Sequence, residues 1–378
     1  MIAVQTAALF DGETLHGPCV VSIVDGRIAA VARHPPPGIP VTRLAEDAVL
    51  APGFVDLQVN GGGGVLFNDV PTPDGLHRIA AAHARLGTTS LLPTLVSGGG
   101  ALRAAALAAV RAALAQPIRG ICGLHLEGPF LARSRRGIHP AEHLGPPTAA
   151  DLAALCAPLP APLLLTVAPE VVAPDAIAVL VAAGARVFLG HSDATFAEAA
   201  AALQAGAAGF THLFNAMSQP GAREPGMVGA ALDSATAAAG IIVDGVHVHP
   251  AAIRLAFAAL GPARLLLVSD AMPTVGDAGA DGFLLNGQRI RLAAGRLTDA
   301  AGTLAGAHLS MAEAVRNAVQ RVGLPRTAAL RMATATPAHW LGLADRGRIV
   351  PGARADLVAL DADLRVVAVW QEGAPLDL

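Results

Sequence analysis

The segment ARVFLGHSDATFAEAAAALQAGAAGFTHLFNAM, residues 185–217, is the best guide to the fold. An apolar run at 186–190 ends just before His191, an alanine-rich stretch follows at 196–205, and a second apolar run begins at 209. Short apolar strands that alternate with helical stretches are typical of parallel sheets covered by helices. The segment therefore predicts two parallel strands joined by a crossover helix.

The same alternation extends along most of the chain from residue 51. The apolar runs predicted as strands lie at 50–59, 89–95, 121–127, 163–168, 186–190, 209–213, 240–243 and 264–269. The stretches predicted as helices include 74–86, 101–115, 174–183, 196–205 and 250–260. Eight such units in roughly 250 residues match the size of a TIM-like (β/α)8 barrel. A doubly wound sheet is the alternative, because strands are easily miscounted from sequence alone.

The two ends of the chain have a different pattern. Short strand-like runs at 19–24, 27–31, 356–360 and 366–369 are separated by Asp-Gly and Pro-Gly turn signals. We therefore expect residues 1–50 and 346–378 to pair into one small β-sandwich domain, with the barrel occupying 51–345.

Composition excludes several classes of partner and location. A net charge of −3 argues against nucleic acid or an anionic membrane as the main partner. Although 53% of the residues are hydrophobic, the uncharged stretch 152–169 contains four prolines and predicts no membrane span. Three scattered cysteines and a first segment without a signal-peptide pattern predict a cytoplasmic protein.

Polar side chains close many of the apolar runs, at the barrel end where catalytic groups collect. These residues are Gln58, Asn60, His125, Glu127, His191, His212, Asn215, Asp244, His247 and Asp270. One Glu and two His with an open fourth position form a catalytic zinc-type site, and a nearby carboxylate can accept a proton from water. Glu127, His191 and His212 as ligands, with Asp270 as the base, is the simplest assignment.

Structural alternatives exist for each of these residues. A single histidine is more often a hydrogen-bonded structural residue than a ligand, but unpaired burial at the end of an apolar strand is unfavourable for His191 and His212. Asp270 could instead cap a helix. His125 and Glu127 share one strand face, so we prefer the carboxylate as the ligand and place His125 behind it.

Other conspicuous residues have no assignment from pattern alone. The glycine run at 61–64 lacks the context of a phosphate-binding motif and reads as a flexible rim loop. Arg223, in a Gly/Pro-rich loop, could clamp an anion, but an ordinary surface arginine is the simpler interpretation. The same holds for His139, and His77, His83 and His339 read as structural.

At these residues the sequence resembles the N-acetylglucosamine-6-phosphate deacetylase family of the amidohydrolase superfamily. The resemblance covers essentially the whole chain. Its motifs are PGFVDLQVNG (52–61), LPTLVS (92–97), GLHLEGPF (123–130), THLFNAM (211–217), REPG (223–226), DGVHV (244–248), SDAM (269–272), GTLAGAHLSM (302–311) and GRIVPGARADLV (347–358).

The resemblance implies an active site and a reaction. Glu127, His191 and His212 would bind the metal, and Asp270 would act as general base and then general acid. His139 would polarise the acetamide carbonyl. The residues expected to bind the sugar phosphate, beside His139, are Asn215, Ala216, Arg223, His247 and Leu304. The resemblance also implies a homodimer, in which Arg223 or His247 serves the neighbouring subunit.

The end of the first strand predicts a single metal ion. Much of the superfamily has His-x-His there, whereas this chain has Gln58 and Asn60. Two neutral amides are poor ligands for a transition metal compared with two imidazoles. We expect one divalent ion, zinc by default, with iron, cobalt or manganese as alternatives.

Three other functions are consistent with the sequence. The substrate could be N-acetylgalactosamine-6-phosphate, or a cyclic amide or imine as in other amidohydrolases. A catalytically inactive relative kept as a binding protein is the rival of another class. The complete Glu/His/His/Asp set argues against that last possibility.

Overall fold

Eight parallel strands form the centre of the molecule, which is described here over all 378 residues from a computed structural model. They are β1 (Phe54–Val59), β2 (Thr88–Val96), β3 (Leu124–Glu127), β4 (Leu163–Val167), β5 (Arg186–Leu189), β6 (Gly209–Phe210), β7 (Ala238–Ile241) and β8 (Leu265–Leu267). Each strand pairs with its neighbour in chain order, and a parallel bridge from Val59 to Ala271 joins the two ends. The predicted (β/α)8 barrel is confirmed.

Helices follow the strands and cover the barrel. They are α1 (Pro73–Arg85), α2 (Gly100–Ala115), α3 (Ala149–Leu155), α4 (Pro174–Ala182), α5 (Phe196–Gln204), α6 (Gly226–Asp233), α7 (Pro250–Leu260), α8 (Met311–Asn317), α9 (Arg326–Ala333) and α10 (Ala335–Leu341). Local chemistry defines where they begin: Thr195 and Glu198 form a reciprocal capping box that starts α5. None of these helices is long and apolar enough to cross a membrane.

The strands are buried on both faces, as their continuous apolar sequences require. Every residue of β1 and β2 is buried. One cluster of 83 buried apolar residues runs through the barrel and its helices, and a separate cluster of 13 fills the small domain. The molecule therefore has two main hydrophobic cores.

The small domain contains two sheets. The six-stranded sheet has the order Ala374–Pro375, Val366–Gln371, Leu357–Leu360, Val49–Pro52, Ala8–Phe10 and Leu15–His16. The four-stranded sheet has the order Arg27–Ala32, Cys19–Val24, Ile2–Thr6 and Val41–Arg43. Val49–Pro52 pairs with Leu357–Leu360, so strands from both ends of the chain share one sheet.

The apolar run at 50–59, expected to be one strand, is two. Val49–Pro52 belongs to the small domain and β1 to the barrel, with Gly53 between them. The Gly53 N–H donates to the carbonyl of Asp356 at 2.8 Å. A Cβ atom at Gly53 would lie 2.1 Å from Thr89 Oγ1, so only glycine allows the chain to pass here.

A three-stranded antiparallel meander lies between β8 and α8. Its strands are Gly282–Leu285, Gln288–Ala293 and Arg296–Thr298. Phe283, Leu285 and Ile290 pack with Met272, which follows β8. The sequence reading did not assign these strands. The meander leads into the residues around Leu304, which line the cavity described next.

Candidate active site

A cavity of about 360 Å³ opens at the C-terminal ends of the barrel strands. Its lining includes Glu127, His139, His191, His212, Asn215, Ala216, His247, Asp270 and Leu304. These residues follow different strands and meet because the strands are parallel. The structure thus brings together all the proposed ligands, the proposed base and most of the proposed substrate contacts.

Three of these residues have an unusual backbone conformation. His191, His212 and Asp270 have φ values of 48°, 30° and 50°, in the left-handed region that side chains other than glycine seldom adopt. Each lies two or three residues beyond the end of its strand. Such strain costs on the order of 1–3 kcal/mol per residue and clusters at functional sites.

Glu127, His191 and His212 form a tight group of potential ligand atoms. Glu127 Oε1 lies 3.3 Å from Nε2 of His191 and 3.0 Å from Nε2 of His212. The two Nε2 atoms are 3.0 Å apart. His191 Nδ1 is 2.9 Å from the carbonyl oxygen of Arg135, to which it donates. That bond places the His191 lone pair on Nε2, which faces the group.

This donor set fits a divalent metal ion. Two imidazole nitrogens and one carboxylate oxygen converge in a buried place, as in catalytic zinc-type sites. A hydrogen-bonded carbonyl behind a metal-binding histidine is the usual way of fixing its orientation. Residues 127, 191 and 212 would therefore hold such an ion.

His139 is a competing ligand on distance alone. Potential ligand atoms of Glu127, His139 and His191 lie within 4.8 Å of one another. However, His139 Nδ1 lies 2.7 Å from Ser97 Oγ and accepts a 3.3 Å hydrogen bond from the Ser97 backbone N–H. The remaining proton then lies on Nε2, which makes that nitrogen a hydrogen-bond donor and leaves no lone pair for a metal.

Two carboxamides hold one oxygen of Asp270. Asn60 Nδ2 donates to Asp270 Oδ1 at 2.7 Å, and Gln58 Nε2 donates to the same atom at 3.1 Å. Gln58 Nε2 also lies 3.0 Å from Glu127 Oε1. Amide N–H groups thus lie between the two carboxylates. Oδ2 of Asp270 accepts none of these hydrogen bonds and is free to exchange a proton with a ligand.

The surroundings give the two carboxyl groups opposite pKa shifts. Burial, and then the negative charge of Glu127, raises the pKa of Asp270 to about 7. Burial also acts to raise the pKa of Glu127, but its close contacts with His191 and His212 hold it well below its ordinary value. Burial, reinforced by His191, lowers the pKa of His139 to about 3, so this imidazole is neutral.

His125 lies behind the ligand group and does not line the cavity. Its Nδ1 is 3.2 Å from Thr94 Oγ1 and its Nε2 is 2.7 Å from Thr166 Oγ1. Thr166 Oγ1 is in turn 2.7 Å from Thr211 Oγ1. These bonds connect β2, β3 and β4 with the residue that precedes His212, so His125 supports the strand ends that carry the ligands.

At the other side of the cavity, His247 is paired with Asp244. Asp244 Oδ2 accepts from His247 Nδ1 at 2.6 Å, and both side chains are buried. Burial lowers the pKa of His247, but the hydrogen bond and charge of Asp244, with a contribution from Asp270, raise it above its ordinary value overall. The raised pKa favours the charged form of the His247 ring, which lines the cavity.

The structure does not bring Arg223 into this cavity. Its side chain is exposed on the loop before α6, whereas Asn215 and Ala216 line the cavity wall. His83, read as structural, is buried with Nε2 at 2.9 Å from the carbonyl oxygen of Gly61. That contact fixes the glycine run at 61–64 against α1.

A larger cavity of about 630 Å³ lies between α1, α8 and the segment 274–280. Arg85, Arg316 and Arg365 line it, with Asp277 and Glu313. It contains no group of converging metal ligands. The chemistry therefore points to the smaller cavity at the strand ends.

Sequence reasoning gave no role to Ser97 or to the carbonyl of Arg135. Ser97 follows β2 at the same barrel end as the other site residues, and that position was the available signal. A backbone carbonyl has no side-chain signature, so the contact of Arg135 with His191 is visible only in three dimensions.

Known proteins match this chain along nearly its whole length. The profile of the amidohydrolase family matches residues 49–375. The N-acetylgalactosamine-6-phosphate deacetylase of Shewanella sp. (strain ANA-3) is 40% identical over 99% of this chain and 95% of the relative. The N-acetylglucosamine-6-phosphate deacetylase of Haemophilus influenzae is 36% identical over 86% and 85%. The crystal structure of N-acetylglucosamine-6-phosphate deacetylase from Pasteurella multocida superimposes with a TM-score of 0.96, at 34% identity, over the whole of both chains.

Proposed function

We propose, because this chain belongs to the amidohydrolase family, that it hydrolyses the acetamide of N-acetylglucosamine-6-phosphate to glucosamine-6-phosphate and acetate. The observation that carries the proposal is the convergence of Glu127, His191 and His212 beside Asp270 in one buried cavity. His247, whose pKa Asp244 raises, lines the same cavity and would bind a phosphate in its charged form. The relatives named above act on phosphorylated N-acetyl sugars.

Each group of residues would have a separate role in amide hydrolysis. A divalent ion held by residues 127, 191 and 212 would supply Lewis-acid activation of water and of the amide carbonyl. Asp270 would take a proton from the attacking water on Oδ2 and deliver it to the departing nitrogen, since its raised pKa suits both steps. The Nε2–H of His139 would donate to the carbonyl oxygen as negative charge develops there.

Binding of the phosphate would position the acetamide for attack. His247 would bind the phosphate as an imidazolium, with Asn215 and the backbone of Ala216 on the same wall and Leu304 against the sugar. Arg223 would reach the phosphate from the neighbouring subunit of a homodimer. Arg223 is exposed and does not line the cavity of its own chain, which supports that arrangement.

We propose one metal ion per chain, with zinc as the first candidate and iron, cobalt or manganese as alternatives. Gln58 and Asn60 direct amide N–H groups at Asp270, where a second cation would need lone pairs. All three cysteines are unpaired, which supports a cytoplasmic location. The names of the relatives support a role in amino-sugar metabolism.

The second candidate substrate is N-acetylgalactosamine-6-phosphate. The Shewanella enzyme, which is 40% identical over 99% of this chain, carries the name of that activity. The two sugars differ only at the 4-hydroxyl, so both fit the same metal, base and phosphate arrangement. Only the sugar pocket would distinguish them.

A kinetic comparison of four compounds tests the proposal. Acetate release is measured with N-acetylglucosamine-6-phosphate, N-acetylgalactosamine-6-phosphate and the two unphosphorylated sugars. The proposal predicts the highest kcat/KM for the first compound and a large loss without phosphate. A preference for the second compound would establish the alternative. Activity on none of them by metal-loaded protein would refute an amino-sugar phosphate substrate.

A further inference from the structure

Ser97 makes two contacts with one nitrogen of His139. Its backbone N–H donates to His139 Nδ1 at 3.3 Å, and its Oγ lies 2.7 Å from the same atom. Both residues are almost completely buried, with exposed fractions of 2% each. The contact therefore joins the end of β2 to the segment that follows β3, and His139 on that segment lines the cavity.

The backbone contact determines where the His139 proton lies. A backbone N–H can only donate, so Nδ1 must present its lone pair to Ser97. A neutral imidazole carries one proton, which is then on Nε2. The Nε2 atom has no hydrogen-bond partner within the protein, and the ring lines the cavity. The free N–H is thus available to a ligand.

The structure makes specific room for the Ser97 hydroxyl. Ser97 Oγ lies 2.7 Å from His139 Nδ1 and 3.3 Å from the carbonyl oxygen of Glu127, so its single proton is directed at the nearer acceptor, His139. Gly128, with φ of 85°, follows Glu127, and a Cβ atom there would lie 2.2 Å from Ser97 Oγ. A side chain at residue 128 would therefore displace the Ser97 hydroxyl from its contact with His139.

From these contacts we infer that Ser97 is a positioning residue that fixes His139 as a neutral Nε2–H donor toward the acetamide carbonyl. This inference rests on the proposed function for its substrate, but the tautomer itself does not depend on it. It gives His139 one role, hydrogen-bond donation, and excludes metal binding through Nε2. Proton transfer to the leaving nitrogen then falls to Asp270.

Nitrogen NMR tests the tautomer directly. The zinc-loaded protein is labelled with ¹⁵N-histidine, and the His139 signals are assigned by their loss in His139→Gln. We expect a neutral ring with the proton on Nε2, and in Ser97→Ala the same tautomer, held by the backbone N–H, with a changed Nδ1 shift. A proton on Nδ1, an imidazolium, or Nε2 bound to metal would overturn the inference.

A double-mutant cycle tests the positioning role. Ser97→Ala should lower kcat about two- to tenfold, the range for loss of one neutral hydrogen bond, and leave KM nearly unchanged. In the His139→Gln background the same change should have no further effect, because the serine acts through the histidine. Ser22→Ala, which removes an equally buried serine from the small domain, is the matched control.

The inference and the proposed function would be refuted by different results. Equal losses from Ser97→Ala in both backgrounds would show that the serine acts independently of His139 and would refute the inference. Absence of acetate release from any N-acetyl sugar phosphate would refute the proposed function, while the NMR result would still decide the tautomer.

Discussion

At the scale of single residues, Glu127 and Asp270 show how two carboxyl groups in one cavity acquire different roles. Burial acts to raise the pKa of Glu127, but its close contacts with the Nε2 atoms of His191 and His212 lower that pKa overall. Asp270 is buried beside that negative charge and has amide partners only on Oδ1, so its pKa is raised to about 7. Separated pKa values of this kind identify a permanent anion and a proton carrier.

The Asp244–His247 pair leads to a prediction about pH. The pKa of His247 is raised, so the ring is charged below that pKa and loses its charge as pH rises through it. We expect KM for the sugar phosphate to rise as the pH increases through this pKa while the phosphate remains a dianion. Asp244→Asn removes the negative charge and replaces one acceptor oxygen with an NH2 donor, so the rise should begin at lower pH. Steady-state kinetics across pH measures both effects.

An exposed pair in the small domain provides the control. Asp11 lies 2.7 Å from His16 and accepts two backbone N–H groups, much as Asp244 does beside His247. Asp11→Asn should leave the pH dependence of KM unchanged. If Asp244→Asn behaves in the same way as Asp11→Asn, His247 does not bind the phosphate as a cation.

The sequence was informative about residues that combine a chemical type with a position at a strand end. Glu127, His191, His212 and Asp270 were expected at one rim, and the structure brings them together in one cavity. Ser97 was missed because a serine after a strand is common in turns and has no distinctive pattern. Its contact with His139 joins residues 42 positions apart, which no local periodicity reveals.

At the scale of elements, close contacts between neighbouring strands set the position of the site. Gly123 precedes β3, the strand that carries Glu127, and a Cβ atom there would lie 2.3 Å from the carbonyl oxygen of Pro162. That carbonyl accepts from the N–H of Leu124 at 3.0 Å. A side chain at residue 123 would therefore push β3 away from β4.

We predict that Gly123→Ala lowers the free energy of unfolding by about 1–3 kcal/mol, as overpacking of a core does. It should also weaken metal binding, because Glu127 moves with the strand. Gly17→Ala is the control, since no atom lies within 4 Å of a Cβ there. Urea titrations of the three proteins measure the difference. Equal midpoints for Gly123→Ala and wild type would show that β3 tolerates the shift.

Helices were easier to predict than strand boundaries. Helix α7 has the predicted bounds, because Pro250 and Gly261 mark its two ends. The run at 50–59 was read as one strand because its apolar pattern continues through Gly53, and the change of domain depends on the distant carbonyl of Asp356. The meander at 282–298 was not assigned, since its short strands alternate with arginines and glycines.

At the scale of the whole molecule, the metal site connects distant parts of the chain. Glu127 is the last residue of β3, His191 and His212 follow β5 and β6, and each of the two histidines has a strained backbone. An ion that binds only the folded state stabilises it by mass action, by about 2.7 kcal/mol at a free concentration 100 times Kd. Folding and metal loading are therefore linked.

We predict that removal of the metal by a chelator lowers the free energy of unfolding and that added zinc restores it. Metal analysis should find one ion per chain. His212→Ala should abolish the effect of zinc, whereas His339→Ala, far from the cavity on α10, should retain it. Two ions per chain would contradict the single-metal proposal. A zinc effect that survives His212→Ala would show that zinc binds at another site.

The central claim is that Asp270 transfers protons beside a metal held by Glu127, His191 and His212. The most direct measurement compares acetate release by wild type and Asp270→Asn, each with its metal content determined. We predict that the variant retains one ion per chain and loses about 10²–10⁴-fold in kcat, the usual contribution of a general acid–base group. A variant that binds the metal and still releases acetate at the wild-type rate would contradict the claim.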